Sequence, residues 1–225
     1  PAHRRPQPAP RAMGTSMPLP CSAVILAGGL STRFDGQDKA RLQIRQRSIL
    51  DRLLGVCRPL FEELVLVTNT PTRYLEHDLL IVADLFPRRS SLTGIHAGLF
   101  YTRHPCAFVT ACDAPFLQAG LVRLLMEAME PADDVVVPST AKGFEPLCAV
   151  YSRRCLPQME AQLQRGALKI RDLFAQVRVR QVPEARLREA DPDLRSFVNI
   201  NTPADLAAAR NLPPADGGPG RSEGA

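Results

Sequence analysis

The chain has 225 residues, enough for one substantial domain or two small ones with a buried core. Apolar residues make up 45% and charged residues 23%, the balance of a soluble globular protein, and no apolar run approaches the ~18 residues of a membrane span. Of the formal net charge of +5, Arg4, Arg5 and Arg11 place three in the first 20 residues, so the remainder is too mildly basic to argue for a nucleic-acid face and suits an anionic small molecule.

The Pro-rich stretch 1–20 has arginines but no apolar block after them, which excludes a secretory signal and predicts a disordered leader. "SAVILAG" (22–28) is a continuous apolar strand, and "ILDRLLGVCRPL" (49–60) has the periodicity of an amphipathic helix. Strands follow at 63–69 and 79–85, a helix at 92–103, and a strand within 105–116 that ends near Cys112 and Asp113. The pattern continues with a helix at 117–129, strands at 134–139 and 147–152, a helix at 153–165 and a strand at 176–182. A strand at 196–200 and a helix at 203–210 complete it, before a Pro/Gly-rich tail at 211–225 that is expected to be disordered. Helices alternating with buried strands predict an α/β fold with a mostly parallel sheet covered on both faces. The six cysteines form no C-x-x-C pair, so packed, reduced thiols and a cytoplasmic setting are expected.

In such sheets ligands bind outside the carboxyl ends of the strands, which selects the loops that carry chemistry. At the first of these, Leu26-Ala27-Gly28-Gly29 is followed by Ser31, Arg33, Asp38 and Lys39. Paired glycines let a backbone approach a ligand, and successive N–H groups there form a nest for anions. The spacing is neither that of a Walker A loop nor that of a dinucleotide-binding turn. Asp113 in "TACDAPF" has two roles open to it, Mg²⁺ ligand or cap of the following helix, and Asp84 after "LLIVA" is a second such carboxylate. Thr202-Pro203 is explained as N-cap and first residue of the last helix. Strand periodicity over 196–200 would put Asn199 and Asn201 on one face, two amides over a ligand.

Taken together these segments resemble the molybdenum cofactor guanylyltransferases. "LAGGLSTRFDGQDKARL" is similar to that family's LAGG-x-S-x-R-M-G-G-x-D-K-x-L signature, "CDAPF" to its C-D-x-P motif and "FVNINTPADL" to its closing motif. "LTGIHAGL" (92–99) and "EPLCAVY" (145–151) resemble two further family segments, so five motifs in order span most of residues 22–210. The resemblance implies a three-layer α/β/α Rossmann-like nucleotidyltransferase, a single domain over residues 21–210, with a mixed, mostly parallel sheet. It also implies GMP transfer from GTP to the terminal phosphate of the molybdopterin cofactor, with Mg²⁺ as the metal. Leu26, Ala27, Gly28 and Gly29 would line the guanine and phosphate site, Lys39 would contact phosphates with Arg33 and Gly36 nearby, and Asp84 would lie in the nucleotide site. Asp113 would bind Mg²⁺, while Lys169, Asn199 and Asn201 would face the molybdopterin.

Gly28 separates this chain from the related cytidylyltransferases, which read LAAG, and so favours GTP. Three departures stand out: Phe34-Asp35 where the family has Met-Gly, Ser90-Ser91 in place of Gly-Pro, and Thr68-Asn69, either of which can inherit a nucleotide-contacting asparagine's role. The implied partners are small-molecule substrates, with transient contacts to molybdenum enzymes or their chaperones. The competing readings are a cytidylyl or sugar-phosphate nucleotidyltransferase and a non-catalytic GTP-binding delivery protein, the latter resting on Asp35 alone.

Overall fold

The computed structural model describes residues 19–28, 34 and 37–213, so the leader, most of the tail, and Gly29, Ser31, Arg33, Asp35 and Gly36 lie outside the described residues. Chain order begins β1 (Leu19–Leu26), β2 (Gln43–Ile44), β3 (Arg47–Ser48), α1 (Ile49–Cys57), β4 (Phe61–Val67), β5 (Leu80–Val82), α2 (Ser91–Tyr101), β6 (Cys106–Ala111) and α3 (Ala119–Glu127). It continues with β7 (Val135–Thr140), β8 (Gly143–Phe144), β9 (Cys148–Ser152), α4 (Leu156–Gln164), α5 (Ile170–Phe174), β10 (Val179–Pro183), α6 (Glu184–Ala190) and α7 (Pro203–Asn211).

One sheet runs β10-β7-β9-β6-β1-β4-β5, with β8 hung on β7. Its pairs are parallel except where β9 meets β6 and β7 and where β8 meets β7. Alternation along each strand feeds two cores. Ala23, Ile25, Leu66, Phe108 and Val150 pack under α1, α3, α6 and α7, whereas Val24, Leu26, Val65, Val109 and Ala149 pack under α2, α4 and α5. This is the mostly parallel, doubly covered sheet that the alternation of elements predicts, in the mixed three-layer form that the resemblance implies.

Local chemistry sets the helix starts. Ser48 caps α1 by accepting from the Asp51 backbone N–H, and Thr202 caps α7 in a reciprocal box with Asp205, as the Thr-Pro pair predicts. Helix α2 is buried from Leu92 to Leu99 and lies unusually close to β1. A methyl group on Gly98 would fall 2.3 Å from Val24 Cγ1, so glycine at this position sets the helix-to-sheet distance.

The expected strand at 196–200 is not a strand. Leu194 turns left-handed at φ 52°, and a short 3₁₀ helix, Arg195–Phe197, follows. The Asp191 carboxylate accepts from the backbone N–H groups of Arg195 and Ser196, at 2.9 and 2.8 Å. Ile200 N donates to the Asp113 carbonyl at 2.7 Å. With side chains and a loop carbonyl satisfying its backbone, the segment needs no sheet neighbour. The premise that strand periodicity aligns Asn199 with Asn201 fails with it.

Candidate active site

Strands β1, β4, β5 and β6 all end on one edge of the sheet, at the foot of a cleft of about 540 Å³. Its walls include Leu26, Ala27, Gly28, Lys39, Thr68, Asn69, Asp84 and Asp113, all expected from the sequence. The turn after β1 is pinned from both sides: Ala27 N donates to Val67 O at 2.9 Å and Cys112 N to Leu26 O at 3.0 Å. Gly28 emerges exposed from that clamp. Among the described residues a methyl there would meet only Val67 O, at 4.0 Å, and the backbone needs no positive φ, so none of them demands glycine.

On the β4–β5 side, Thr68 and Asn69 divide two tasks. Thr68 is buried; its N–H donates to Val82 O at 2.8 Å and its hydroxyl accepts from Thr70 N at 3.2 Å. It shapes the turn. Asn69 Nδ2 donates to Asp84 Oδ2 at 2.7 Å and its Oδ1 accepts from Asp84 N at 3.3 Å, which fixes the Asp84 carboxylate at the cleft wall. Beyond it, the α2 amino end enters the cleft through Arg89, Ser90 and Ser91. Ser90 caps that helix by accepting from Thr93 N at 3.1 Å, which gives the Ser-Ser departure a structural task. A helix start, with its free N–H groups, favours anions.

Lys39 sits on a 3₁₀ turn, Lys39–Arg41, whose cap is Asp38. The Asp38 carboxylate accepts from Ala40 N at 3.1 Å and from the Tyr74 hydroxyl at 2.5 Å, with Arg73 3.7 Å away. Burial, followed by this hydrogen bond to Asp38, drives the Tyr74 hydroxyl far above its ordinary range and keeps it a donor. Phe34, in place of the family's methionine, is buried in the core, and the Lys39 ammonium lies 5.8 Å from its ring centroid. Lys39 Nζ donates to Asn201 Oδ1 at 3.0 Å. Asp113 lies close by: burial raises its carboxyl above the usual carboxylate range, and the charge of Lys39 opposes that rise.

Two expected residues stay apart from this centre. Asn199 is exposed and lies outside the cleft lining, and Lys169 is exposed at the head of α5, where its carbonyl accepts from Gln162 Nε2 at 2.8 Å. Conversely, Arg73, Tyr74 and Arg89 belong to the site or its support and escaped the sequence reading. For Arg89 a signal existed, since Arg89-Ser90-Ser91 opens a predicted helix. For Tyr74 none did.

No group of three or more His, Cys, Asp or Glu side chains that could hold a metal ion occurs among the described residues. Asp113 nevertheless fits a cation that takes one carboxylate and completes its shell on substrate phosphates, because no other side chain hydrogen-bonds to its carboxylate among the described residues.

A mostly parallel sheet with both faces covered, carrying a lysine, a half-buried aspartate and a helix start at one strand-end cleft, defines a nucleotidyltransferase-type α/β protein. Residues 23–182 match the family model described as the MobA-like NTP transferase domain, and the chain belongs to that family. Among curated relatives, the molybdenum cofactor guanylyltransferase of Desulfosudis oleivorans is 45% identical over 188 residues, covering 84% of this chain and 93% of the relative. Among solved structures, molybdopterin-guanine dinucleotide biosynthesis protein A from Archaeoglobus fulgidus aligns with a TM-score of 0.75 at 27% identity, over 84% of this chain and 96% of that one. The 2-C-methyl-D-erythritol 4-phosphate cytidylyltransferase of Thermus thermophilus shares the fold, with a TM-score of 0.60 at 17% identity over 84% and 96% of the two chains.

Proposed function

We propose that this chain transfers GMP from GTP to the terminal phosphate of the molybdenum-molybdopterin cofactor, releasing pyrophosphate. The observation that carries the reading is the meeting of Lys39 and Asp113, brought together on the cleft floor from the ends of β1 and β6 and tied to the closing motif through Asn201. In the reaction a phosphate oxygen of the acceptor forms a bond to the α-phosphorus of GTP, and the bond from that phosphorus to the bridging oxygen breaks. The acceptor phosphate is already an anion, so no general base is required and catalysis consists of positioning and charge neutralisation.

Asp84, oriented by Asn69, faces the nucleotide base, while Gly28 and the α2 start admit its phosphates. Lys39 offsets the charge that builds on pyrophosphate as it departs, and Asn201 keeps its ammonium aimed at that point. Asp113, with the substrate phosphates, would hold Mg²⁺, which would supply neutralisation of phosphate charge when bound. Arg33, Gly29 and Gly36 belong to the same phosphate loop by the sequence resemblance. Among the described residues no helix is long and apolar enough to cross a membrane.

The test supplies the chain with Mg²⁺, molybdopterin cofactor and labelled GTP or CTP, and follows pyrophosphate. Release with GTP and not CTP supports the reading; GTP binding without release in the presence of the cofactor defeats it. Lys39→Ala and Asp113→Ala should each cut turnover at least about 100-fold, the scale of removing a transition-state charge contact, with unfolding midpoints close to the parent's.

A further inference from the structure

Sheet order divides the cleft between two substrates. Gly28, Asn69 and Asp84 stand just past the carboxyl ends of β1, β4 and β5, all to one side of β6, and β6 leads to Asp113 at the proposed point of reaction. If the nucleotide occupies that side, the acceptor lies across β6, over β9 and the β7–β8 hairpin. Leu147 already lines the cleft there. The antiparallel register of β6 and β9 ends with Thr110 beside Cys148; Asp113 stands three residues after that pair on one strand and Glu145 three residues before it on the other, near enough for the Asp113 charge to act on the Glu145 carboxyl.

Glu145 is well held for a ligand-facing role. Its N–H donates to Pro138 O at 3.1 Å, and the turn is anchored by the hydroxyl of the buried Tyr151, which donates to Pro146 O at 2.8 Å. The carboxylate itself is underused: Thr140 Oγ1 donates to Oε1 at 3.4 Å, and among the described residues no donor meets Oε2 and no ion pair forms. Burial, and then the charge of Asp113, raises its carboxyl above the ordinary range, while Thr140 and Lys142 oppose the rise. A half-buried carboxylate that forms no ion pair among the described residues suits donors that a substrate brings.

We propose that Glu145 is a specificity residue for the acceptor, its carboxylate taking the N–H hydrogen bonds of the acceptor's heterocycle. A pterin ring presents an amide N–H and an amino group side by side, spaced for the two oxygens of one carboxylate. This rests on the guanylyltransferase reading and deepens it, adding a reader for the acceptor ring opposite the reader for the nucleotide base.

The test titrates molybdopterin cofactor into the full chain with Mg²⁺ and a GTP analogue uncleavable between its α- and β-phosphates, following the molybdenum retained with the protein in equilibrium dialysis. Glu145→Gln, which keeps shape and removes charge, is expected to weaken acceptor binding about tenfold or more, with GTP affinity changed less than twofold. Acceptor affinity within twofold of the parent overturns the assignment. So does an equal fall in Mn²⁺ affinity measured by electron paramagnetic resonance, which would put the carboxylate on the metal. A parent chain that binds GTP and never the cofactor sinks the guanylyltransferase reading first, and Glu145's role with it; a parent that binds both, with Glu145→Gln unaffected, sinks this inference alone.

Discussion

At Gly28 the protein leaves room that it does not use. Among the described residues a methyl would sit 4.0 Å from its nearest neighbour, which leaves the space open toward the cleft. Gly28→Ala is therefore expected to leave the unfolding midpoint unchanged while weakening GTP binding about tenfold or more, the worth of one misplaced methyl in a fitted site. Calorimetric titration with GTP and with CTP checks it; an unchanged preference between the two would remove Gly28 from base selection. The rest of the site was readable in the same uneven way. Leu26, Asp84 and Asp113 could be found because a buried apolar run marks where a strand ends, and ligands collect there. Tyr74 and Arg73 follow β4 on a short 3₁₀ turn with no periodicity, and their task, holding the Asp38 cap beneath Lys39, exists only in three dimensions. Asn199 and Asn201 were paired on the assumption of a strand; the Asp191 carboxylate, by taking two backbone N–H groups, made that segment a turn instead.

Among the elements, α2 links packing to function most directly. Its glycines lie against β1: a methyl on Gly94 would come 3.3 Å from Leu26, and one on Gly98 2.3 Å from Val24. Its amino end delivers Ser90 and Ser91 to the cleft, so the distance between helix and sheet sets the position of that wall. Alanine favours helices over glycine by about 1 kcal/mol, but Val24 is wholly buried in a central strand and cannot yield. Gly98→Ala should destabilise the chain by about 1–3 kcal/mol net. Urea unfolding measures this, and a second substitution, Val24→Ala, should recover part of the loss; additive losses would mean the two residues do not meet. Helix α1 was visible in the sequence because its apolar residues recur at helical spacing. Helix α6 was not: of its seven residues Leu187 alone is buried, so it presents no stripe, and α5 is five residues long.

Across the whole molecule the two ends of the sheet have separate chemistry. The carboxyl ends of β1, β4 and β6 carry the cleft, and their amino ends carry a buried polar cluster around Glu63. The Ser22 hydroxyl donates to Glu63 Oε2 at 2.5 Å, Arg103 N donates to the same oxygen at 2.9 Å, and Arg103 Nε to Oε1 at 2.8 Å; Ser22 Oγ also lies 3.1 Å from His104 Nδ1. Burial alone would raise the Glu63 carboxyl, but these donors outweigh it and hold it below the ordinary 4.5. A carboxylate whose folded pKa is depressed adds stability that is fully present above its unfolded value and drains away as pH falls through the folded one. Glu63→Gln should therefore cost about 1–3 kcal/mol at neutral pH, since it leaves buried donors short of a charged acceptor. The gap between parent and variant should narrow as the medium is taken below pH 4.5, where the parent's own carboxyl begins to protonate. Because the cluster lies at the opposite end of the sheet from Lys39 and Asp113, the KM for GTP should be the same in both proteins. Thermal unfolding across pH, run beside steady-state kinetics at pH 7, would reveal a gap that stays constant if Glu63 acts through shape alone.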